Sequence, residues 1–523
     1  MKHTIVNLTG LDIAVLVAFV VVLFGVAYWA SFVKKRKPGE SLFLAGKTLG
    51  WFSIGLTMWG TNVGPSMLLA NASSGFEGGL AAGNFSWYAF PFICLLALVF
   101  APRYLGFGIS TLPEFMGKRF GGATQRYIAC YSIVTIVVSW LGLTLFSGGV
   151  FMEQVLGIPM WACVVILVSV SAAFTMAGGL RAVAYTNVYQ MIILIAVSGL
   201  LTGMAISKLG GVGAVVAQTP PSYWNLLRPL GDADFPWLAV VLGYPVMGVW
   251  FWCTDQSMVQ SVLGARNLKQ GQLGASFAAW LKLLDIPLFI LPGILCFLLL
   301  PKLANSTDAY LSLVSAVFPS GLVGMVVTVM MFALVGTIAS ALNSLSAVFT
   351  MDIYLKRRRL PATPAQLNRI GRMVTLGGAV LSIFLALAIT RIQGLSFFNI
   401  FQSVLGFIAP PMSAAFLFSV FWQRTTTRSV NLVLTAGTAL SLGTGLLYYT
   451  GVVLAGVHFL LISFGLFVAL CAAIVAISLA APAPAKAAVE SAGAGKPLRR
   501  AILIPWALLA AIMVALYVIF NGH

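Results

Sequence analysis

The sequence predicts an all-α integral membrane protein with about fourteen transmembrane helices. Of its 523 residues, 60% are hydrophobic and only 8% are charged, and the mean hydropathy is +1.00. A soluble domain carries about 25% charged residues, so the composition excludes an ordinary globular domain. The charges lie in short groups between apolar runs of about 18 residues or more, long enough to cross a bilayer. The chain, 1–523, is therefore predicted to be one transmembrane domain.

The predicted helices follow one another with short connections. Their approximate bounds are 11–32, 50–71, 82–101, 127–150, 158–177, 183–206, 236–256, 274–300, 315–350, 373–390, 395–422, 429–449, 453–480 and 500–520. A basic cluster at 34–37 follows the first segment without a small-residue cleavage site, which favours a retained helix over a signal peptide. The stretch 481–499 is rich in Ala, Pro and Gly and is predicted to be a flexible cytoplasmic linker before the last helix.

The net charge of +18 is distributed as in a membrane protein and not as on a nucleic-acid-binding surface. Alternate connecting loops hold most of the 30 Lys and Arg residues, beginning with those at 34–47 and 103–126. Basic loops of this kind face the cytoplasm, which places both termini outside it. We expect a multi-pass protein in a lipid bilayer, with no nucleic-acid partner and no obligate protein partner. The short loops favour a bacterial inner membrane.

Two of the predicted helices contain residues that interrupt helices. Residues 60–66 read GTNVGPS, and two glycines and a proline are poor choices for a helix interior. Five segments later, 240–256 contains Gly243, Pro245 and Gly248. Five is odd, so these two segments cross the membrane in opposite directions, as in inverted repeats with discontinuous helices at the midplane. Membrane helices also simply tolerate Gly and Pro, but the matched positions favour a binding site.

The polar residues inside the segments point to binding and not to catalysis. An interrupted helix leaves backbone carbonyls free to bind a cation. The later segment 330–354 offers several hydroxyls, Thr337 among them, most of which we expect to bond back to their own helix. Lys282 has Asp285 one turn on, so the lysine either forms an internal ion pair or faces a solute. Patterns of catalytic, metal-binding and phosphate-binding residues are absent from the sequence, so we expect no enzyme.

Four motifs resemble the sodium/solute symporters, and among them the sodium/glucose cotransporter type. They are GGLRAVAYTNVYQ (178–190), FWCTDQSMVQ (251–260), LNSLSAVFTMDIY (342–354) and FQSVLGFIAPPMSAAFLFSVFWQR (401–424). The resemblance implies a leucine-transporter-type fold, a five-plus-five inverted repeat with flanking helices. The repeats would span 50–206 and 236–422, with an extra N-terminal helix at 11–32 and peripheral helices at 429–480 and 500–520.

The resemblance also implies a site for a co-transported sodium ion. Its ligands would be the carbonyls of Gly60, Val63 and Ala333 and the hydroxyl of Thr337. Two positions depart from the family pattern. Gly336 lacks the hydroxyl that the family has there, and Asn187 replaces an aspartate near the cation path.

The solute pocket that the resemblance implies is less polar than a typical glucose site. It maps onto Asn62, Met67, Ser86, Phe251, Trp252, Lys282 and Gln402. Ser86 replaces a glutamate and Met67 replaces a polar residue, which favours a modified sugar or a polyol over glucose itself. The predicted function is sodium-coupled symport of a small polar solute by alternating access. The open alternatives are a proton-coupled or uncoupled carrier and, less favoured because the tail is short, a transporter-like solute sensor.

Overall fold

The computed structural model describes residues 8–33, 42–357, 362–389, 397–454, 456–482 and 500–521. Within those ranges the chain is helical apart from turns, loops and two isolated β-bridges, Leu49 with Ala265 and Arg228 with Pro236. The prediction of an all-α protein is confirmed.

The described residues form α-helices that we label α1 to α24 in chain order. They are α1 Gly10–Tyr28, α2 Trp51–Asn62, α3 Pro65–Gly78, α4 Asn84–Trp87, α5 Phe90–Leu95, α6 Ala101–Gly106, α7 Leu112–Phe120, α8 Gly122–Thr135, α9 Thr144–Leu156, α10 Met160–Lys208, α11 Val212–Gln218, α12 Trp237–Val249, α13 Gln256–Leu263, α14 Leu268–Leu281, α15 Leu291–Leu299, α16 Ala309–Val317, α17 Leu322–Val348, α18 Leu355–Arg357, α19 Pro364–Ile389, α20 Phe397–Phe421, α21 Thr427–Leu432, α22 Thr438–Tyr449, α23 Phe459–Ala480 and α24 Arg500–Ile519. Short π-helical stretches extend several of them: Trp29–Val33, Leu96–Phe100, Ile136–Leu143, Trp250–Thr254, Ile286–Ile290, Phe349–Tyr354 and Val433–Gly437.

The structure contains fewer long membrane helices than the fourteen predicted segments. In the part of the chain that is described, 11 helices are long and apolar enough to cross a membrane, or 12 if the bent pair Leu268–Leu284 and Ile286–Leu299 is one span. The difference has two local causes. The predicted segments 158–177 and 183–206 are counted as one span, α10, although two helical stretches meet there at the non-helical residue Gly179 (φ +58°, ψ −152°). The predicted segment 50–71 is divided between α2 and α3, and α2 is too short to cross alone. The number fourteen is not confirmed.

The interruption predicted at 60–66 is present and divides α2 from α3. Helix α2 ends at Asn62, Val63 leaves the helical conformation, and Gly64 is extended before Pro65 begins α3 at the position that proline favours. The Gly64 N–H donates to the Asn62 carbonyl at 3.1 Å and not to Gly60, four residues back. Pro65 has no N–H to offer Thr61. The last turn of α2 therefore has main-chain carbonyls without helical donors.

The second predicted interruption lies elsewhere in its segment. Helix α12 continues through Pro245 to Val249 and then widens into the π-helical stretch Trp250–Thr254. The glycines of α12 serve close packing: a Cβ on Gly243 would lie 2.3 Å from the Leu460 carbonyl oxygen, and one on Gly248 would lie 2.4 Å from the Phe92 ring. The carbonyl of Val241, which Pro245 cannot bond, lies 3.4 Å from the Tyr88 hydroxyl. This span is thus distorted but not unwound.

Helix α17 is the central element against which the interrupted helix is held. It packs along α10 and against α1 and α2, while α2 also packs on α14 and α3 on α15. The N-terminus of α17 is capped from another helix, because Asp12 of α1 accepts hydrogen bonds from the N–H groups of Gly321 (2.6 Å) and Gly324 (2.7 Å). A carboxylate there satisfies donors that a helix start leaves free and lies at the positive end of its dipole.

Among the described residues, four hydrogen bonds join the last helix and the two residues that follow it to the rest of the chain. Trp506 Nε1 donates to Ser276 Oγ at 2.8 Å, and the Tyr517 hydroxyl donates to Asn84 Oδ1 at 2.8 Å. Beyond them, the Leu226 N–H bonds the Phe520 carbonyl, and the Leu227 N–H bonds Asn521 Oδ1. Helix α24 therefore contacts both α14 and the long loop that precedes α12.

Candidate functional site

A cavity lies where the interruption between α2 and α3 faces the π-helical end of α12. About 80 Å³ of it is open to the centre of a water-sized sphere, several times the roughly 10–15 Å³ that one water needs. Six of its lining residues are aromatic: Phe85, Trp140, Tyr244, Trp250, Phe251 and Trp252. The polar lining residues are Thr61, Asn62, Thr144 and Thr337. The two distorted spans thus share one cavity, to which α17 contributes Thr337.

The hydroxyl groups near the interruption bond to their own helices. Thr61 Oγ1 donates to the Thr57 carbonyl at 2.8 Å and lies 3.3 Å from Ser340 Oγ of α17. Thr337 Oγ1 donates to the Ala333 carbonyl at 3.1 Å. A hydroxyl oxygen that donates in this way keeps its lone pairs for a cation or a solute.

Of the predicted cation ligands, the structure places Thr337 on the cavity wall, with Ala333 one turn below it on α17. Val63 lies within the interruption. Gly60, on the last turn of α2, packs closely, because a Cβ there would lie 2.8 Å from Met191 Cγ of α10. The predicted cation residues therefore belong to two elements that meet at one cavity.

Of the predicted solute ligands, Asn62, Met67, Phe251 and Trp252 line the cavity, whereas Ser86 and Lys282 do not. Ser86 is buried beside the lining residue Phe85. Gln402 belongs to α20, but its side chain lies outside the described residues.

Lys282 forms the internal ion pair and also contacts a cavity residue. Its Nζ lies 2.6 Å from Asp285 Oδ2, with both side chains 2% exposed, and it donates a hydrogen bond to Asn62 Oδ1. The other carboxylate oxygen of Asp285 accepts from Trp59 Nε1 of α2 at 2.8 Å. The ammonium also lies 5.3 Å from the centre of the Trp252 ring, within cation–π range. The pair fixes the amide of Asn62 at the end of α2.

The aromatic wall is held in place by a second buried carboxylate. Trp140 and Phe251 stack with ring centres 5.5 Å apart, and Phe251 meets Trp252 edge to face at 5.1 Å. Asp255 accepts from Trp140 Nε1 at 3.1 Å and from the N–H groups of Ser257 and Met258 at the start of α13. Asp255 is therefore the N-cap residue of α13 as well as the partner of Trp140.

Sequence reasoning missed the contribution of the fourth predicted segment to the cavity. Trp140 and Thr144 both line it, and they follow each other by four residues, which places them on one helical face. The pairing of Lys282 with Asn62, 220 residues apart, was also missed. Neither relationship has a local sequence signal.

The neighbourhood of Gly336 leaves no room for a side chain. A Cβ added at Gly336 would lie 2.3 Å from Asn187 Oδ1 and 2.9 Å from Gln190 Oε1, two amides of α10. The positions that depart from the family pattern, 187 and 336, are thus in direct contact.

Comparisons with known proteins find, over most of the chain, the same family that the four sequence motifs resemble. The family model of the sodium:solute symporter family matches residues 42–437. Sodium/glucose cotransporter 1 of Ovis aries is 32% identical over 520 residues, covering 90% of this chain and 78% of the relative. The sodium/mannose cotransporter SLC5A10 of Bos taurus is 32% identical over 532 residues, covering 93% of this chain and 89% of the relative.

Solved structures show that the fold is shared more widely. A substrate-bound, outward-open Na⁺-coupled sialic acid symporter matches with a TM-score of 0.77 at 17% identity, covering 92% of this chain and 100% of that one. MHP1, a nucleobase-cation-symport-1 family transporter, matches with a TM-score of 0.54 at 13% identity, covering 87% and 98%. At these identities the likeness concerns the fold alone. Given the family model that matches most of its length, the chain belongs to the sodium:solute symporter family.

Proposed function

We propose that the protein is a secondary active transporter that carries a small polar solute together with sodium. The observation that carries the proposal is the single cavity shared by the interrupted α2–α3 helix and by Thr337 of α17. A cation held between these elements would order the end of α2, where Asn62 meets the cavity. Binding of ion and solute to the same conformation couples the two, and the coupling is reciprocal.

The solute class that the cavity fits best is a sugar, a modified sugar or a polyol with few exposed hydroxyls. Aromatic rings accept the C–H face of a sugar, and an amide such as Asn62 bonds its hydroxyls. The cavity has more aromatic than polar lining residues, and Met67 presents a thioether to it. The names of the relatives, which are cotransporters of glucose and of mannose, agree with this class. We assign Asn62, Phe251, Trp252 and Gln402 to solute binding.

The proposed architecture is a five-plus-five inverted repeat, whose two repeats span 50–206 and 236–422. The flanking helices bring the number of membrane crossings to fourteen. The kink of α10 at Gly179 divides that helix into the two crossings that the repeat requires. Transport would occur by alternating access, in which one set of helices rocks against the other around the cavity. Such a protein needs no catalytic residues, and we expect no enzymatic activity.

The proposal is tested by solute uptake into proteoliposomes driven by an inward sodium gradient, with potassium as the ionic control. A panel of labelled sugars, deoxysugars and polyols identifies the solute. Thr337→Ala should raise the sodium concentration for half-maximal uptake about tenfold, the effect of about 1.4 kcal/mol. Thr328→Ala is the matched control, because Thr328 bonds the carbonyl four residues back on the same helix. If the uptake of every solute in the panel were the same with and without the sodium gradient, the proposed coupling would be refuted.

A proton-coupled or uncoupled carrier of the same fold is the second candidate. It is favoured by Gly336 and Asn187, which remove one hydroxyl and one charge from the region of the cation site. Uptake driven by an inward proton gradient in the absence of sodium would support it over the first.

We place the protein in a cell membrane, in a bacterial inner membrane, with both termini outside the cytoplasm. This orientation is supported by the loops rich in Lys and Arg, since such loops face the cytoplasm. A C-terminal alkaline phosphatase fusion should be active in intact cells, whereas a fusion in the loop at 103–126 should be inactive. The reverse pattern would invert the topology.

A further inference from the structure

The ion pair of Lys282 and Asp285 is built into the bend that follows α14. Helix α14 ends at Leu281, and Lys282–Leu284 form a 3₁₀ turn in which the Asp285 N–H donates to the Lys282 carbonyl. Side chains three residues apart eclipse one another in such a turn. The backbone therefore brings the two charges together, with Lys282 Nζ 2.6 Å from Asp285 Oδ2.

The ammonium group of this pair lies within reach of the cavity. Lys282 Nζ donates to Asn62 Oδ1 and lies 5.3 Å from the centre of the Trp252 ring. Asn62 and Trp252 line the cavity, whereas Lys282 is 1% exposed and does not. Because Asp285 already balances the lysine, the positive charge beside the cavity is compensated before any solute enters.

A second buried carboxylate borders the same cavity. Asp255 accepts from Nε1 of the lining residue Trp140 at 3.1 Å, and its other bonds come from the uncharged N–H groups of Ser257 and Met258. Among the described residues that line the cavity, none has a charged side chain. An anionic solute would lose its hydration here without gaining a free cation, which is costly. The surroundings therefore favour an uncharged solute.

Resting on the solute transport proposed above, we propose that Asp285 is a positioning residue that makes the transporter select uncharged solutes over their acidic counterparts. Asp285 acts through Lys282. It holds the ammonium group against Asn62 Oδ1, so that the amide offers its Nδ2 donor to the cavity and no free cation is offered to a carboxylate. Without the charge of Asp285, the same ammonium group would bind the carboxylate of a sugar acid.

Two pairs of probes test this selectivity. They are glucuronate with glucose and gluconate with sorbitol, and in each pair a carboxylate replaces a CH₂OH group. Binding to the full-length protein in detergent, at a constant sodium concentration, is followed by tryptophan fluorescence, since Trp140, Trp250 and Trp252 line the cavity. The wild type should bind the neutral member of each pair more tightly. A preference for the acids would overturn the inference.

The variant Asp285→Asn keeps the shape of the side chain and removes its charge. The ratio of the dissociation constants, acid over neutral, should fall at least about tenfold, because the freed ammonium group makes a charge-assisted hydrogen bond to the acid.

The matched control is Asp12→Asn, which also removes a buried carboxylate. Asp12 accepts from the N–H groups of Gly321 and Gly324. Gly324 lies roughly 20 Å along α17 from Thr337, at 1.5 Å per residue. Asp12→Asn should lower the stability and leave the ratio unchanged. Equal ratios in Asp285→Asn and Asp12→Asn would overturn the inference.

Thermal unfolding gives a second readout, which a purely structural role of the pair would not move. Removing one partner of a buried ion pair is destabilising, so Asp285→Asn should melt below the wild type. Glucuronate and gluconate should raise its melting temperature, because their carboxylates replace the missing charge, and should not raise that of the wild type or of Asp12→Asn. A melting temperature of Asp285→Asn that neither acid changes would also contradict the inference.

The double variant Lys282→Gln/Asp285→Asn covers the case in which Asp285→Asn does not fold. Its two amides can hydrogen-bond without any charge, so the double variant should keep the wild-type ratio within about threefold. A ratio shifted towards the acids would show that the ammonium group is not the cause, and the inference would fail.

The proposed function is judged separately. A wild type that binds none of the neutral sugars and polyols of the uptake panel would contradict the proposed function. Neutral probes that bind, with the same ratio in the wild type and in Asp285→Asn, would refute the role of Asp285 alone.

Discussion

At the scale of single residues, the cavity depends on buried charges that are satisfied by side chains far away in sequence. Lys282 joins Asp285 to Asn62, and Asp285 joins the lysine to Trp59. Burying an ion pair is costly, but removing one partner is costlier, because the other charge stays buried and uncompensated. The network therefore positions Asn62 as long as all its members are present.

The first prediction concerns this ion pair. Lys282→Met should destabilise the protein by about 3–5 kcal/mol, because it leaves one Asp285 oxygen buried without a partner. The double variant Lys282→Met/Asp285→Leu should be more stable than Lys282→Met alone, since no charge remains. Thermal unfolding in detergent measures both. A double variant less stable than the single one would show that the pair is not the origin of the effect.

The second prediction concerns pH and His458, which precedes α23 outside the membrane span. Its Nδ1 accepts the Leu460 N–H, so Nε2 carries the proton that it donates to the Asp234 carbonyl at 3.0 Å. Burial lowers the pKa of His458 below 6.5, against the opposing effects of the hydrogen bond to Asp234 and of the Asp234 and Asp232 carboxylates. A group with a lowered pKa binds its proton more readily when unfolded.

Stability from His458 is thus complete above pH 6.5 and is lost as the pH falls through 6.5 towards the lower folded pKa. Thermal unfolding of the wild type should show this decline between neutral and mildly acidic pH. His458→Asn, which can still cap the helix without titrating, should show a smaller decline. Equal slopes for the two proteins would exclude His458 as the source.

At the scale of the elements, the same residue types play different roles in the two distorted spans. Gly64 and Pro65 end one helix and begin another, whereas Gly243 and Pro245 lie inside a continuous α12. The difference is set by neighbours: Gly243 faces the backbone of α23, and Pro245 leaves a carbonyl within reach of Tyr88. A packing glycine and a helix-ending glycine look the same in the sequence.

The third prediction tests this packing role. Gly243→Ala should destabilise the protein by about 1–3 kcal/mol, because the new Cβ would lie 2.3 Å from the Leu460 carbonyl oxygen and force α12 from α23. Gly199→Ala on α10 is the control. Its Cβ would meet its nearest neighbour at 3.8 Å, so the change should be neutral or stabilising. The melting temperatures of the two variants measure the difference in stability. Equal melting temperatures would contradict the packing role of Gly243.

The sequence predicted the features that depend on neighbouring residues and not those that depend on contacts between distant ones. Helical content, the interruption at 60–66 and the family were predictable, because hydropathy, proline chemistry and motifs are local. The contacts of Asn62 with Lys282 and of Gly336 with Asn187 were not, because they join residues on different helices. The break within α10 was predictable as well, because the predicted segments 158–177 and 183–206 lie on either side of Gly179, whose backbone is not helical (φ +58°, ψ −152°).

At the scale of the whole molecule, the last helix is bonded to a residue that precedes a lining residue of the cavity. Tyr517 bonds Asn84, whose amide also donates to the Leu226 carbonyl at 2.6 Å, and the next residue, Phe85, lines the cavity. The helix that follows the linker at 481–499 is therefore one residue removed from the cavity lining, through Asn84.

The fourth prediction is that this helix stays bound without its covalent connection. A protease site placed in the linker and then cut should leave α24 co-purifying with the rest, because four hydrogen bonds and its apolar face hold it. The variant Trp506→Phe/Tyr517→Phe should lower the retained fraction. Gel analysis after affinity purification through an N-terminal tag measures this fraction, with the uncut protein as the reference. Complete loss of α24 from the cut wild-type protein would refute the contact.

The neutralised lysine behind the cavity has an electrical consequence. Since Asp285 already balances Lys282, this lysine adds no uncompensated charge beside the cavity, and a neutral solute brings none. In the symport proposed above, each transport cycle would then move only the charge of its ions, and the resting potential of a cell would drive the accumulation of an uncharged solute.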